Sequence, residues 1–277
     1  MDVRSIISCP ISEDTRLNGH QTIRFNPDGF SVLVADASYK PVLLQEHKYH
    51  LPLEPGQYPS EAGRILEEIG LLDFSGETVL IYDGGGFTII PEGFYSEEFA
   101  RPLLENECII PETDIVCVRR LRERKSHMLF HCPGSMEEMR ERIKGECTII
   151  HTAECLGSLS DQIRASDHQR GFLLADVQEK TLGLLVIRAD DIILLNCYRL
   201  GDPSYFIYHT LNTMKQLDMD PESIPVYLSG IIHDDHELTG LLKKYIREVK
   251  STPYYLEGLS REDMLKHMVL SEGSKCA

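Results

Sequence analysis

Three residues with zinc-ligating side chains recur four positions apart, at Cys147, His151 and Cys155. Cysteine and histidine are the usual protein ligands of zinc. A spacing of four residues brings side chains together only on a helix, whereas the intervening Thr148-Ile149-Ile150 favours a strand. No Cys-x-x-Cys pair occurs in the sequence. We therefore expect buried structural thiols here rather than a metal centre.

The run His233-Asp234-Asp235-His236 combines imidazoles and carboxylates that could bind a divalent cation. A metal-dependent hydrolase using this run is the weakest function that we consider. The run also lies between a strand pattern and a helical pattern, where it would form a solvated turn with Asp235 near a helix start. We favour the turn and assign no metal site.

A basic segment at residues 119–125 carries five positive charges in seven residues. It could dock an acidic partner or nucleic acid. It also separates two strand-like stretches, residues 114–118 and 127–130, and this position is typical of a solvated hairpin end. We favour the hairpin, because the sequence has no tryptophan and no aromatic residue interrupts the segment to stack on bases.

The composition is that of an ordinary globular protein, with 277 residues, 42% hydrophobic and 26% charged. The formal net charge of −16 disfavours wholesale binding to nucleic acid or anionic lipid. No apolar run approaches the ~20 residues of a membrane span, and the N-terminus lacks the apolar stretch of a signal peptide. With eight cysteines and no export signal, we expect reduced thiols in the cytoplasm.

The two halves of the chain share one strand pattern. Residues 31–45 and 183–196 each contain an apolar strand ending in Ala-Asp, a short turn and a second apolar strand. Each is preceded by another short strand, Thr22-Ile23-Arg24-Phe25 in the first half and residues 172–176 in the second. Turn residues at 26–29 and 177–180 separate these strands.

Helical patterns and further strands then follow in the same order. Apolar residues recur at helical spacing over residues 65–72 and 207–217, and Asp202-Pro203 is a helix-start signal. Buried strands are expected at 79–82 and 226–228. After the second of these, the spacing predicts an amphipathic helix over 238–249, a last strand at 254–256 and a capped helix over 260–269.

This order predicts an α/β protein with an internal duplication, in which each half has a mixed sheet flanked by helices. We expect a first lobe over residues 1–167, with inserted strands and a helix around 114–160, and a second lobe over residues 168–277. Two unrelated α/β domains are the alternative. The repeated plan resembles that of the actin, sugar-kinase and heat-shock ATPase superfamily, which has a ribonuclease-H-like fold.

A closer resemblance extends over about residues 20–250. It rests on the runs Phe25–Ser31, Phe87–Tyr95, Leu195–Arg199 and Val226–Gly230. These segments are similar to an uncharacterised bacterial family, domain-of-unknown-function family 3822, whose fold is described as actin-like. The shared residues form strands and turns, so the resemblance implies a fold and transfers no reaction.

The superfamily resemblance implies a nucleotide site between the lobes, which we test at four positions: Asp28, Gly29, Asp176 and Gly230. Phosphates need glycines and bare amide donors. The first turn has one glycine, and Pro27 removes a donor. The second turn has no glycine and carries Glu179. Asp176 either occupies the position of the superfamily's metal-organising aspartate or only ends a strand. Only Gly230 remains where the adenosine would pack, so we describe the site as degenerate.

One segment favours phosphate binding. Asp83-Gly84-Gly85-Gly86-Phe87-Thr88 resembles the phosphate loop of heat-shock ATPases. It follows the helix of the first half, whereas that loop belongs to a first-strand hairpin of the second half. A flexible turn is therefore the favoured interpretation.

The sequence thus favours a cytosolic, non-catalytic binding or scaffold protein with an unidentified protein partner, no cofactor and no catalytic residue. The alternative is an enzyme that binds or hydrolyses ATP with Mg²⁺ in the cleft between the lobes.

Overall fold

The structure is a computed structural model that describes residues 2–50, 53–84, 86–121, 124–167 and 171–276. The strands are β1 (Asp2–Ser8), β2 (His20–Asn26), β3 (Gly29–Ala35), β4 (Pro41–Lys48), β5 (Glu77–Tyr82), β6 (Phe87–Pro91), β7 (Asp114–Leu121), β8 (Ser126–Pro133), β9 (Cys147–His151), β10 (Gly171–Val177), β11 (Thr181–Arg188), β12 (Asp191–Arg199), β13 (Val226–Gly230) and β14 (Val249–Ser251). The helices are α1 (Glu13–Asn18), α2 (Tyr58–Glu68), α3 (Ala100–Glu105), α4 (Gly134–Arg142), α5 (Thr152–Asp167), α6 (Tyr205–Gln216), α7 (Glu237–Leu242), α8 (Arg261–Lys266) and α9 (Met268–Gly273).

Two of the sheets repeat one topology. The first sheet has the order β1-β4-β3-β2-β5-β9, and the second sheet has the order β12-β11-β10-β13-β14. In each, an antiparallel meander is extended by two parallel strands. Strand for strand, β4-β3-β2-β5-β9 matches β12-β11-β10-β13-β14. The predicted duplicated α/β fold with two mixed sheets is confirmed.

Alternation along the strands explains how each sheet buries both faces. In the first sheet, Ile23 and Phe25 point to an outer core that is completed by α2 and α4. The outer core of the second sheet is completed by α6 and α7. A third cluster joins the inner faces of both sheets through α5, α8 and α9. This cluster packs β5 and β9 of the first sheet against β10 and β11 of the second.

A third sheet, the inserted sheet, has the order β6-β8-β7 and lies in the chain between β5 and β9. It begins at Phe87, earlier than the insertion expected around residues 114–160, because β6 pairs with β8 and not with β5. Residues 147–167 instead form β9, which pairs with β5, and α5. The domain division at residue 167 stays a prediction, and residues 168–170 lie outside the described residues.

The end of the chain differs from the pattern predicted there. The helix predicted over 238–249 ends at Leu242, and Val249 instead begins β14, where it pairs with Val226 of β13. Residues 254–256 form no strand; the Tyr254 hydroxyl donates to Ser271 Oγ at 3.0 Å. The predicted cap is confirmed, since Ser260 Oγ accepts from the backbone N–H of Asp263 at the start of α8.

Asp202-Pro203 forms a turn rather than the first residues of a helix. The Asp202 carboxylate accepts the backbone N–H of Ser204, and α6 begins at Tyr205. The helix itself is where the apolar spacing predicts it.

Candidate functional site

The first hairpins of the two meanders, β2–β3 and β10–β11, have turns of the same length. Asn26 pairs with Gly29 across the β2–β3 turn, and Gln178 N–H donates to the Thr181 carbonyl across the β10–β11 turn. Two residues separate the pair in each case. Arg24 lies two residues before Asn26 in β2, and Asp176 lies two residues before Gln178 in β10. The two residues therefore occupy equivalent positions.

These equivalent residues meet at the junction of the two sheets. Arg24 Nη2 donates to Asp176 Oδ2 at 2.8 Å and to Asp83 Oδ2, just after β5, at 2.9 Å. The side chains of Arg24 and Asp83 are each 3% exposed and that of Asp176 is fully buried. One guanidinium nitrogen therefore holds a carboxylate from each half of the chain. We call these three residues the junction cluster.

Neighbouring hydroxyl and amide groups complete the cluster. Thr181 Oγ1 of the second sheet donates to Asp83 Oδ2 at 2.8 Å, which is a second link between the sheets. Ser229 Oγ donates to Asp176 Oδ1 at 2.9 Å, and Gln178 Nε2 lies 3.3 Å from the same oxygen. The buried carboxylates thus have the hydrogen-bond donors that their burial requires.

The charge balance of the cluster favours a permanent cation on Arg24. Burial by itself lowers the pKa of Arg24, but the adjacent carboxylates of Asp83 and Asp176 raise it above its ordinary value. A buried charge whose partner is removed is strongly destabilising, so the three groups depend on one another.

The four residues of the degenerate nucleotide site lie around this junction. Asp28 and Gly29 line a cavity of about 40 Å³ beside the cluster, together with Asn26, Gln178, Glu179 and Lys266. Asp176 belongs to the cluster itself. Gly230 ends β13 with φ +85°, and a Cβ there would lie 1.9 Å from the Val177 carbonyl oxygen. Close approach of two strands therefore accounts for this glycine.

A larger cavity of about 290 Å³ lies beyond Asp83, on the side of the inserted sheet. Its lining includes Gly84, Gly86, His131 and Arg199. The Gly86 N–H is engaged, because it donates to His131 Nε2 at 2.9 Å, and His131 Nδ1 lies 2.7 Å from Asp114 Oδ2. Gly85, at the centre of the glycine run, lies outside the described residues.

Sequence reasoning did not select Arg24, although a charged residue inside the apolar run Thr22–Phe25 was a visible signal. A charged side chain in a strand buried on both faces needs a partner of opposite charge. Its partners lie 59 and 152 residues away, so no local pattern identifies them.

The cysteine and histidine residues at 147, 151 and 155 have structural surroundings. Cys147 and His151 lie on the strand β9, as the residue types predict, and Cys155 is buried in α5. His151 Nδ1 accepts the N–H of Ala153, and burial lowers the pKa of His151 to about 4. Among the described residues no group of three or more His, Cys, Asp or Glu side chains could hold a metal ion.

The run at 233–236 stabilises the start of α7. His236 Nδ1 accepts the N–H of Leu238, and Asp234 accepts the N–H of Ser251 at 2.8 Å and also pairs with Arg261. These contacts agree with the favoured turn.

The described residues of the basic segment lie at the end of the β7–β8 hairpin, as predicted, although β7 continues to Leu121 rather than ending at Val118. Arg119 pairs with Glu154, Arg120 pairs with Glu92, and Arg124 pairs with Asp161. Residues 122 and 123 lie outside the described residues. Three of the positive charges are therefore offset within the molecule.

None of the helices in the described ranges has the length and apolar character that crossing a membrane requires.

Comparison with known proteins identifies the family. A family model described as "Protein of unknown function (DUF3822)" matches residues 12–249, so the chain belongs to that family, as the resemblance predicted. No curated protein matches the sequence.

Solved structures agree on the fold. A Bacteroides thetaiotaomicron protein with an actin-like ATPase fold and unknown function has a TM-score of 0.75 at 20% identity, covering 95% of this chain and 99% of that one. A chain of the PilM–PilN type IV pilus biogenesis complex has a TM-score of 0.61 at 13% identity, covering 96% and 98%. The ethanolamine utilization protein EutJ of Carboxydothermus hydrogenoformans has a TM-score of 0.50 at 10% identity, covering 94% and 89%. At these identities the likeness shows the actin-like fold alone.

Proposed function

We propose that this member of the family is a non-catalytic binding or scaffold protein. Its two lobes are joined by an ion pair at the place where the actin-like resemblance implies nucleotide phosphates. The observation that carries the proposal is the buried contact of 2.8 Å between Arg24 and Asp176. The two residues occupy equivalent positions in the two hairpins and have side chains of opposite charge.

The residues at the junction do not fit a magnesium nucleotide. A metal ion needs carboxylate oxygens that are not already neutralised, whereas one Arg24 nitrogen contacts both Asp83 and Asp176. Pro27 offers no amide donor, and Glu179 would repel a phosphate. The cavity at the hairpins holds about 40 Å³, whereas ligand pockets typically enclose ~300 to 1,000 Å³. The cavity of about 290 Å³ on the other side of Asp83 is near the lower limit of that range, but the Gly86 N–H that lines it already donates to His131.

A role in binding another protein is compatible with this fold. One of the structural neighbours is part of a PilM–PilN type IV pilus biogenesis complex, although that likeness concerns the fold alone. Apolar side chains such as Phe94 and Ile109, which are 80% and 93% exposed, lie on the surface of the insertion.

Titration with Mg-ATP tests the proposal. A nucleotide at 1,000 times its Kd would raise the free energy of unfolding by roughly 4 kcal/mol through mass action. We expect no change in the melting temperature at millimolar Mg-ATP and no heat of binding by calorimetry. The same titrations are made on Asp176→Asn and on the matched variant Asp191→Asn, whose aspartate is exposed. Stabilisation by Mg-ATP that is lost in Asp176→Asn but kept in Asp191→Asn would contradict the proposal.

The alternative, an ATP-binding or ATP-hydrolysing enzyme, is favoured by one observation. Two carboxylates, from Asp83 and Asp176, converge on a single nitrogen atom and could hold Mg²⁺ if Arg24 moved away. The titration above decides between the two functions. The metal-dependent hydrolase at residues 233–236 has no comparable observation in its favour.

A further inference from the structure

Two cysteines of the inserted sheet have their sulfur atoms close together. Cys117 of β7 and Cys132 of β8 have Sγ atoms 3.6 Å apart, although 15 positions separate the two residues in the chain. In the register of these strands Cys117 pairs with Phe130, and Cys132 is two residues further along β8. The two cysteines are therefore diagonal neighbours on the same face of the sheet.

The two thiols differ in their exposure and in their acidity. Cys132 is fully buried in the outer core of the first sheet, whereas Cys117 packs against that core and is only partly buried. The hydrogen bond with Cys117 and burial both raise the pKa of the Cys132 thiol above its ordinary value. Because the thiolate is the nucleophile, Cys132 is not the thiol that reacts first with an oxidant. A small oxidant from solution meets Cys117 first.

A bond between the two sulfur atoms requires only a small movement. The S–S bond of a disulfide is about 2.0 Å long, so the sulfur atoms must approach each other by about 1.6 Å. Within the described ranges β7 is an edge strand of the inserted sheet and is hydrogen-bonded only to β8. It can therefore shift toward the end of β8 without disturbing its pairing with a further strand.

The end of β8 also connects the inserted sheet to the segment that follows β5. His131, next to Cys132, accepts the Gly86 N–H at 2.9 Å, and its Nδ1 lies 2.7 Å from Asp114 Oδ2 of β7. Successive side chains of a strand point to opposite faces, so His131 and Cys132 lie on opposite sides of the inserted sheet. A bond at Cys132 would therefore fix the strand segment that holds Gly86, three residues after Asp83 of the junction cluster.

We propose that Cys117 and Cys132 form a reversible disulfide that fixes the inserted sheet when the protein is exposed to a peroxide. The inference goes beyond the proposed binding function and does not depend on it.

The reaction has two steps. The Cys117 thiolate attacks one peroxide oxygen, the O–O bond breaks with release of hydroxide, and Cys117 becomes a sulfenic acid. The Cys132 sulfur then attacks the Cys117 sulfur, and the sulfenic oxygen leaves as water with the proton of the Cys132 thiol. The two thiols are oxidised by two electrons, which reduce the peroxide. A dithiol reductant reverses the bond by thiol–disulfide exchange.

The test treats the full chain with hydrogen peroxide, alkylates the remaining thiols and maps the peptides by mass spectrometry. We expect one pair of peptides joined through Cys117 and Cys132, which dithiothreitol separates. In Cys132→Ala, oxidation should stop at a sulfenic acid on Cys117, which dimedone traps. In Cys117→Ala, Cys132 should stay reduced. Cys147→Ala is the matched control, because Cys147 is also partly buried on a strand, and it should form the disulfide at the native rate. Circular dichroism checks that all three variants fold.

The effect on the inserted sheet is measured on the same samples. Oxidation should slow amide hydrogen exchange in β7 by about tenfold or more, because the strand can no longer separate from β8 by itself. The melting temperature should rise by about 5 °C, because the bond closes a loop between residues 117 and 132 in the unfolded chain. Neither change should occur in Cys117→Ala after the same peroxide treatment.

Several results would overturn the proposal. One is that both thiols remain free after the treatment. Another is a disulfide between Cys155 and Cys276, whose side chains also share a hydrogen bond, in place of the expected one. A third is a disulfide between Cys117 and Cys132 that leaves hydrogen exchange and the melting temperature unchanged, since the bond would then fix nothing. None of these results bears on the Mg-ATP titration, so this inference and the proposed function fail separately.

Discussion

The two sheets share a topology but differ where they meet and at their outer edges. At the junction, equivalent hairpin positions carry Arg24 in one sheet and Asp176 in the other. At the outer edge, β4 is covered by β1, whereas no strand among the described residues covers β12. The two sheets thus share the same backbone pairing. They differ in the junction side chains, which are opposite in charge, and in the outer edges, of which only that of the first sheet is covered by a further strand. Function in such a molecule is expected at the places where the repeat is broken.

The largest expected effect comes from removing the cation at the junction. Arg24→Met should lower the free energy of unfolding by about 3–5 kcal/mol, because it leaves two buried carboxylates unpaired. Adding Asp83→Asn and Asp176→Asn should recover much of the loss. Urea unfolding measures both.

Arg64→Met is the matched control, since the side chain of Arg64 is 55% exposed and pairs with Glu61 and Glu68 on the surface. Its expected cost is below about 1 kcal/mol. Equal losses at Arg24 and Arg64 would mean that the junction does not join the two sheets.

A second effect concerns the residues that precede two of the helices between the sheets, α5 and α8. His151 precedes α5, whereas Ser260, which does not titrate, precedes α8. Because burial lowers the pKa of His151 from 6.5 to about 4, the unfolded chain binds a proton in this window that the folded chain does not. The contribution of neutral His151 to the free energy of unfolding is complete above pH 6.5. It falls by about 3 kcal/mol as the pH is lowered to 4.

His151→Asn keeps an acceptor for the Ala153 N–H and removes the titration. We expect its free energy of unfolding to depend less on pH between 6.5 and 4 than that of the native chain, as followed by chemical denaturation at several pH values. Parallel pH profiles for the two proteins would contradict a neutral, buried His151.

The smallest effect tests the unequal edges. Deleting residues 1–8 would remove β1, whose Ile6 and Ile7 pack against Leu33, Leu44 and Leu270. We expect a loss of about 2 kcal/mol from this partial burial. Sedimentation should also show self-association, because both outer edges would now be open. Deleting residues 1–3 alone is the control, and a monomer as stable as the native chain after the longer deletion would contradict the role of β1.

The repeated strands were predictable because they depend on local pattern. The runs at 22–25 and 172–176 each contain one charged residue among residues typical of strands, are followed by turn residues and form β2 and β10 as expected. The helix predicted to reach Val249 was wrong, because the same apolar residue also suits a strand and pairing with β13 decides the outcome. The site depended on distant partners: Arg24 was visible as a charge in a buried strand, but Asp83 and Asp176 become its neighbours only through the fold.

The junction cluster also has a consequence for motion. Any hinge movement that separated the two sheets at the junction would pull Arg24 away from Asp176 and leave buried charges without partners. The two halves should therefore unfold as a single cooperative unit, and slow amide exchange in β2 should be matched by slow exchange in β10. Because the two sheets are joined in this way, the protein presents a surface of fixed shape to a binding partner.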